Sequence, residues 1–209
     1  MNLAPTSTQS FISHDETEAA ERLAKGAKLQ GAHAQFFEAL YRNAAPEDIN
    51  RYTPAALTAL ATLVKQRLEK RKAGNSLVDL FNPSAESKDY PENECVLVAI
   101  NDDMPFLFDS LTAELQAQSA RVRAVFHPIV QHDGQTTSVI VAVLDPVIDA
   151  GRQQAIADGA RAVFAQVWEA VRDWQKMMGK LGESIAELRK RPPAVAKDDL
   201  DEDIAFLEW

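Results

Sequence analysis

The sequence predicts an α+β protein: an N-terminal helical unit followed by a ferredoxin-like antiparallel sheet with helices on one face. Three observations predict this fold. Apolar residues recur at helical spacing up to residue 74, and short runs rich in β-branched residues follow. From residue 75 onward the elements come in the order strand, strand, helix, strand, hairpin turn, strand, helix. That order is typical of a ferredoxin-like module.

Residues 15–74 carry the start and stop signals of several short helices. Pro46 and Pro54 each stand in the first turn of a predicted helix, and Thr53 supplies an N-cap before Pro54. Gly31 separates two earlier helices, and Gly74 ends the unit. The apolar stripes comprise Phe36, Phe37, Leu40 and Tyr41 in one helix and Leu57, Leu60, Val64 and Leu68 in another.

Four segments are predicted to be strands. Residues 95–100 form an apolar run that is too short and too β-branched for a helix, and residues 122–126 alternate apolar and polar side chains. Asp133-Gly134 is a hairpin turn before a returning strand at residues 139–144. A ferredoxin-like sheet usually has a further strand after its second helix, but the segment there is helical in pattern. We therefore expect residues 77–81 to fill that edge, antiparallel to residues 95–100.

Two apolar stripes predict the helices that cover the sheet. The first helix starts at residues 102–105, and its apolar face comprises Met104, Leu107, Phe108, Leu111 and Leu115. In the second stripe, Gly179 and Gly182 predict a break into two helices. That second stripe includes Ile156, Ala160, Val163, Phe164, Val167, Val171, Trp174, Met178, Leu181, Ile185 and Leu188.

Charge and proline mark the predicted domain boundaries. The acids of residues 198–203 follow a proline-stopped basic run and precede apolar residues, as in the first turn of a helix. The expected order is a disordered tail (1–14), the helical unit (15–74), the sheet domain (75–190) and a linker with the start of a truncated helix (191–209).

Composition argues against several classes of partner. A net charge of −9 and a pI near 5.0 disfavour nucleic acid and anionic membranes, which both need a clustered positive field. Cys95, the single cysteine, permits no internal disulfide or thiolate metal cage and is predicted to be a buried strand thiol. His127 and His132 point to opposite strand faces, so no metal site is expected. Without a membrane-length apolar run or a targeting pattern, the expected location is cytoplasmic.

One turn is the candidate functional site. The sequence contains no G-x-G fingerprint and no evident nucleophile–base set, so no catalytic or cofactor-binding residue is assigned. The turn links a predicted strand to a predicted helix and consists of Asn101, Asp102, Asp103, Met104 and Pro105. Its acids either cap the helix and complement the helix dipole, or the helix N-terminus binds an anionic group. Both interpretations stay open.

Residues 101–111, N-D-D-M-P-F-L-F-D-S-L, resemble a segment in the N-terminal region of the large NAD-dependent glutamate dehydrogenases of bacteria. The resemblance implies a fragment of such an enzyme, with an ACT-like domain at residues 75–190 and no cofactor of its own. The parent would bind NAD and deaminate L-glutamate oxidatively in a downstream domain. Similar pieces recur at Phe36-Phe37, residues 45–48, Asn82-Pro83, His127-Pro128 and residues 205–209.

The resemblance implies a regulatory or assembly role for this region. Its partners would be the downstream domains of the same chain and other copies in a homo-oligomer, through an exposed sheet face or edge. Asp103, Pro105 and Phe108 loosely match the D-x-P-G-x-L pattern of ACT modules, but Phe106 stands where effector-binding modules commonly have glycine. A glycine lets a ligand approach the backbone, whereas a phenyl ring fills that space. An amino-acid effector at residues 101–105 is therefore the alternative function.

Overall fold

The computed structural model describes residues 14–26 and 29–208, which divide into two compact units, one ending at Phe164 and one starting at Ala165. The helices are α1 (His14–Gly26), α2 (Gly31–Tyr41), α3 (Pro46–Asn50), α4 (Pro54–Lys70), α5 (Pro83–Glu86), α6 (Leu107–Ala117), α7 (Ala150–Arg172), α8 (Trp174–Lys190) and α9 (Lys197–Glu208). The strands are β1 (Leu77–Phe81), β2 (Cys95–Asp102), β3 (Val122–Phe126), β4 (Ile129–His132) and β5 (Gln135–Leu144). The predicted disordered tail lies outside the described residues except for His14.

The strands of the described chain form one antiparallel sheet in the order β1-β2-β5-β3, and β4 also pairs with β5. Leu77 lies opposite Ile100 and Phe81 opposite Val96, which confirms that residues 77–81 fill the edge beside β2. β3 and β4 follow one another along β5. The α+β, ferredoxin-like prediction is therefore confirmed, with β1 in the place of the usual last strand.

Helices cover both faces of this sheet. Alternate side chains of β2 and β5 share one buried cluster with α2 and α4, while side chains that point the other way, such as Leu97 and Ile140, are buried on the face that we assign to α6 and α7. The suggested exposed sheet face is therefore wrong, because the helical unit covers it. The cluster includes Val96, Val98, Ile100, Val139, Val141 and Val143 from the sheet and Phe36, Phe37, Leu40, Leu57, Leu60 and Val64 from the helices.

The helix starts of the N-terminal unit follow their local signals. Thr53 is the N-cap of α4, and its hydroxyl accepts a hydrogen bond of 3.1 Å from the Ala56 amide. Pro46 is the first residue of α3. Gly31 opens α2 with a positive φ of 58°, a conformation that glycine adopts without strain.

The predicted break at Gly179 or Gly182 is wrong. Both glycines lie inside α8, and α7 and α8 are instead separated at Asp173. A glycine in a helix interior costs only about 1 kcal/mol relative to alanine, which does not suffice to end a helix of this length. The polar stretch that follows Asn82 contains the short helix α5.

A buried carboxylate connects the helical unit to the sheet. Glu94 is 5% exposed and accepts hydrogen bonds from the hydroxyls of Tyr52 (3.0 Å) and Tyr90 (2.9 Å) and from the Arg123 guanidinium (3.1 Å). Burial raises the pKa of both tyrosines above the usual range, which keeps them as neutral donors. Arg123 also pairs with Asp145 beyond the end of β5. The buried Glu94 carboxylate thus has hydrogen-bond donors for both of its oxygens.

Cys95 is the buried strand thiol that the sequence predicts. Its sulfur donates to Asn82 Oδ1 at 2.8 Å and accepts from the Val147 amide at 3.2 Å. Among residues 14–26 and 29–208, no helix is both long enough and apolar enough to cross a membrane.

Candidate functional site

The candidate turn is fastened to the helical unit by a buried arginine. Arg71 follows α4, and its guanidinium donates to the Asp102 carboxylate and, at 3.4 Å, to Thr137 Oγ1. Its Nε donates to the Asn75 carbonyl at 2.8 Å. Asp102 itself is the last residue of β2, opposite Thr137 on β5. The interpretation of Asp102 as a helix cap is therefore wrong, because its carboxylate neutralises Arg71.

Asn101 is held from both sides. The side chain is buried, its Oδ1 accepts from the Ser76 hydroxyl at 3.0 Å, and its Nδ2 lies 3.9 Å from the Met104 sulfur. Ser76 directly precedes β1, so this hydrogen bond ties the neighbouring edge strand to the turn. The hydrogen bonds of Asn101 and Asp102 therefore fix the turn against β1 and the end of α4.

Asp103 and Pro105 form the exposed part of the turn. The Asp103 amide donates to the Thr136 carbonyl at 2.9 Å, which continues the pairing of β2 with β5 by one residue. The structure thus divides the five predicted site residues. Asn101 is buried, Asp102 and Met104 are half-buried, and Asp103 and Pro105 face solvent.

Phe106 is the N-cap of α6 and takes a left-handed conformation, with φ 71° and ψ −2°. Its ring is 64% exposed, and its side chain gives α6 no capping hydrogen bond. A non-glycine residue in this conformation carries a strain of about 1–2 kcal/mol. α6 therefore begins at Leu107, and the predicted start at residues 102–105 is wrong.

Replacing Phe106 with glycine is expected to stabilise the protein by about 1 kcal/mol, because glycine adopts positive φ without steric cost. Phe106→Ala is the matched control, since it removes the exposed ring but keeps the Cβ that causes the strain. Urea denaturation of both variants measures the difference. Equal free energies of unfolding for the two variants would show that the backbone strain is not relieved.

His127 lies in the interruption between β3 and β4, beside the turn. Its imidazole stacks on Phe108 of α6, with centroids 5.2 Å apart and planes 7° apart, and its Nε2 is 2.8 Å from Ser138 Oγ. Burial lowers the pKa of His127, and the nearby negative charge of Asp103 opposes that effect. His127 therefore packs against α6 beside the turn, where burial disfavours its protonated form.

The stability of the protein is expected to fall as the pH drops below about 6.5, the ordinary pKa of histidine. The folded-state pKa of His127 lies below its unfolded value, so the unfolded chain takes up the proton first. The His127 contribution is complete above the unfolded pKa and is lost as the pH falls through the folded pKa. Denaturation of wild type and His127→Gln at several pH values tests this, and a constant difference between them would contradict it.

His132, the other histidine of this region, lies on β4 with its Nε2 3.6 Å from Asp133 Oδ2. That nitrogen is buried without a hydrogen bond. In the part of the chain that the structure describes, no group of three or more His, Cys, Asp and Glu side chains has the arrangement of a metal site.

Sequence reasoning missed Arg71, Thr137 and Ser138. A signal for Arg71 was present, because it continues the apolar stripe of α4 at the next helical step after Leu68. An arginine in the line of a buried stripe indicates a buried ion pair. The partners on β5 had no such signal, since they are brought to the turn by the register of the sheet.

The sheet order and the element order define the chain as a ferredoxin-like α+β module. The family model described as glutamate dehydrogenase, ACT1 domain, matches residues 36–178. The chain belongs to this family. The match begins in α2, so it takes in most of the helical unit as well as the sheet.

Two curated relatives carry the name NAD-specific glutamate dehydrogenase. The protein from Halomonas elongata is 26% identical over 152 residues, which is 63% of this chain and 9% of that protein. The protein from Pseudomonas aeruginosa is 22% identical over 161 residues, 68% of this chain and 10% of that protein. The chain therefore spans about a tenth of the length of these relatives.

Proposed function

We propose that this chain is a non-catalytic N-terminal regulatory or assembly region of an NAD-dependent glutamate dehydrogenase. The whole enzyme deaminates L-glutamate oxidatively to 2-oxoglutarate and ammonia in the cytoplasm, with NAD held by downstream domains. The family match over residues 36–178 and the names of the two relatives support this parent enzyme. The proposed ACT-like domain is residues 75–190, after a helical unit of residues 15–74 and before a linker at 191–209.

Two side chains of the turn already have partners within the protein, and this observation carries the assembly role. Arg71 and Ser76 already satisfy Asp102 and Asn101, so an effector at these side chains has to displace contacts within the protein. Such an effector would have to replace both the Arg71 guanidinium at Asp102 and the Ser76 hydroxyl at Asn101. The turn is therefore better suited to joining the helical unit to the sheet than to exchanging ligands.

A second candidate function is amino-acid sensing, and one observation favours it. The first amides of α6 receive no side-chain cap from Phe106, and the Asp103 carboxylate beside them is exposed. A helix N-terminus attracts a carboxylate, and Asp103 attracts an ammonium group. An α-amino acid carries both groups.

Calorimetric titration of the chain with amino acids and nucleotides separates the two candidates. The assembly role predicts no binding heat from any of them, and no NADH formed from glutamate and NAD. Micromolar binding of an amino acid that Asp103→Ala abolishes would favour sensing. Asp109→Ala is the matched control, because Asp109 is another exposed acid near the start of α6. Glutamate oxidation by this chain alone would contradict the non-catalytic role.

A further inference from the structure

The sheet of the described chain has two open edges, formed by β1 on one side and by β3 and β4 on the other. Backbone N–H and C=O groups along an open edge can pair with a strand of another chain. All three edge strands are short, with five residues in β1 and β3 and four in β4. The groups that already bind these edges therefore decide whether the sheet can add a strand.

Every second residue of β1 points its backbone N–H and C=O groups to the open edge. The Asp103 amide donates to the Thr136 carbonyl of β5, so the odd-numbered residues of β2 bond to β5 and the even-numbered residues bond to β1. Leu77 lies opposite an even-numbered residue and bonds to β2. Val78 and Leu80 therefore point their backbone groups away from β2.

Arg161 of α7 binds this edge. Its Nη2 donates to the Val78 carbonyl at 3.0 Å, and its Nη1 donates to the Asp158 carboxylate at 2.6 Å. Asp158 lies three positions earlier on α7, so this ion pair restrains the guanidinium beside the strand. A strand that pairs with β1 needs the same Val78 carbonyl, so it has to displace Arg161.

Arg51 binds the other edge. It directly follows α3, and its Nη1 donates to the Arg123 carbonyl at 2.9 Å. The register of β3 against β5 shifts between Val122 and Ala124, so Arg123 lies in a β-bulge. Pro128, which has no amide hydrogen, follows β3 and interrupts this edge before β4 begins. Bulges and prolines are features by which natural sheets avoid pairing along their edges.

We propose that Arg161 and Arg51 are edge guards, which occupy edge carbonyls of β1 and β3 and so prevent the sheet from adding a strand of another chain. A guanidinium forms a charge-assisted hydrogen bond, which is harder to displace than a neutral one. The inference goes beyond the proposed function and does not depend on it. It excludes the sheet edges as the contact between copies, so an assembly has to use other surfaces.

Hydrogen exchange of the Leu80 amide tests the proposal, measured by NMR on the complete 209-residue chain at low and high protein concentration. Wild type is expected to exchange this amide rapidly at both concentrations, because the amide points to the open edge. Arg161→Ala is expected to slow the exchange at least tenfold at high concentration, because the freed carbonyl lets the β1 edges of two copies pair. Arg161→Met is a second variant, which keeps an apolar stem and removes only the donor. Thermal unfolding verifies that both variants remain folded.

Arg51→Ala tests the other edge in the same way. The Val139 amide of β5 donates to the neighbouring edge segment, and so does every second residue from it, including Val143. Ala124 lies opposite Val143, so Val125 points its amide to the open edge. This amide is expected to gain protection at high concentration in Arg51→Ala, and unchanged exchange would overturn the role of Arg51.

Arg172→Ala is the matched control for Arg161→Ala. Arg172 is also on α7, pairs with Glu169 three positions earlier, and has a side chain 47% exposed against 46% for Arg161. It lies two positions before Trp174, which is 49% exposed although the apolar stripe predicts it in the core. The control is expected to leave the exchange of the Leu80 amide unchanged at both concentrations.

Three outcomes overturn the proposal. Protection of the Leu80 amide in concentrated wild type would show that the edge pairs although Arg161 is present. Exchange in both Arg161 variants at the wild-type rate would show that the arginine guards nothing. An equal effect of Arg172→Ala would show that only the loss of a surface charge matters. The proposed function is judged separately, by the calorimetric and activity measurements.

Discussion

Replacing Arg71 with methionine is expected to lower the free energy of unfolding by about 3 kcal/mol, the lower end of the range for breaking a buried ion pair. The Arg71 side chain is 1% exposed, and its guanidinium links α4 to the Asp102 carboxylate and to Thr137. Methionine fills similar volume but leaves Asp102 without its counter-charge. Because the Asp102 side chain is 29% exposed, water recovers part of the loss. Urea denaturation measures the change.

Lys72→Met is the matched control, since Lys72 is exposed and only one position away. It is expected to change the free energy of unfolding by less than about 0.5 kcal/mol. Adding Asp102→Asn to Arg71→Met is expected to cost little more than Arg71→Met alone, because the buried charge is then gone. Full additivity of the two changes would show that Arg71 and Asp102 act independently.

Replacing Glu94 with alanine is expected to destabilise the protein by about 3 kcal/mol. The change removes one acceptor from two buried tyrosine hydroxyls and from Arg123. A neutral hydrogen bond contributes about 1 kcal/mol and one to a charged group about 1.5–3 kcal/mol. Because the three bonds form one network, their sum overstates the loss.

Glu92→Ala is the control for this variant, because Glu92 is exposed two positions earlier in the chain. Thermal and urea denaturation of both variants measure the difference. Tyrosine absorbance at alkaline pH adds a local observation, since loss of the Glu94 charge and opening of the site both lower the raised pKa of Tyr52. Equal free energies of unfolding for the two variants would show that the hydrogen bonds of Glu94 do not stabilise the protein.

Four strands of the described chain were predictable because their pattern is local, whereas β4 was not predicted. The apolar run of β2, the alternation of β3 and the Asp133-Gly134 turn each specify an element within a few residues. The edge position of β1 followed from counting strands. The position of the helical unit on the second sheet face was not predictable, since periodicity shows that a helix face is buried but does not identify the element that it packs against.

The candidate turn was found by its residue string, but its chemistry was not predicted. Asp102 pairs with Arg71, which lies 31 positions earlier in the chain, and no local pattern identifies such a partner. The left-handed conformation of Phe106 was also unexpected, because sequence rules assign that conformation to glycine or asparagine. Both misses concern contacts that only the assembled fold creates.

The helical unit has a consequence for the order in which the protein is synthesised. The sheet face under the helical unit is apolar, and it would favour association with other chains if it were exposed. It comprises Val96, Val98 and Ile100 of β2 and their neighbours on β5. During translation residues 29–70 leave the ribosome before any strand does, because synthesis runs from the N-terminus. The helices are thus already outside the ribosome when the first strand emerges, so they are available to cover this sheet face as it forms.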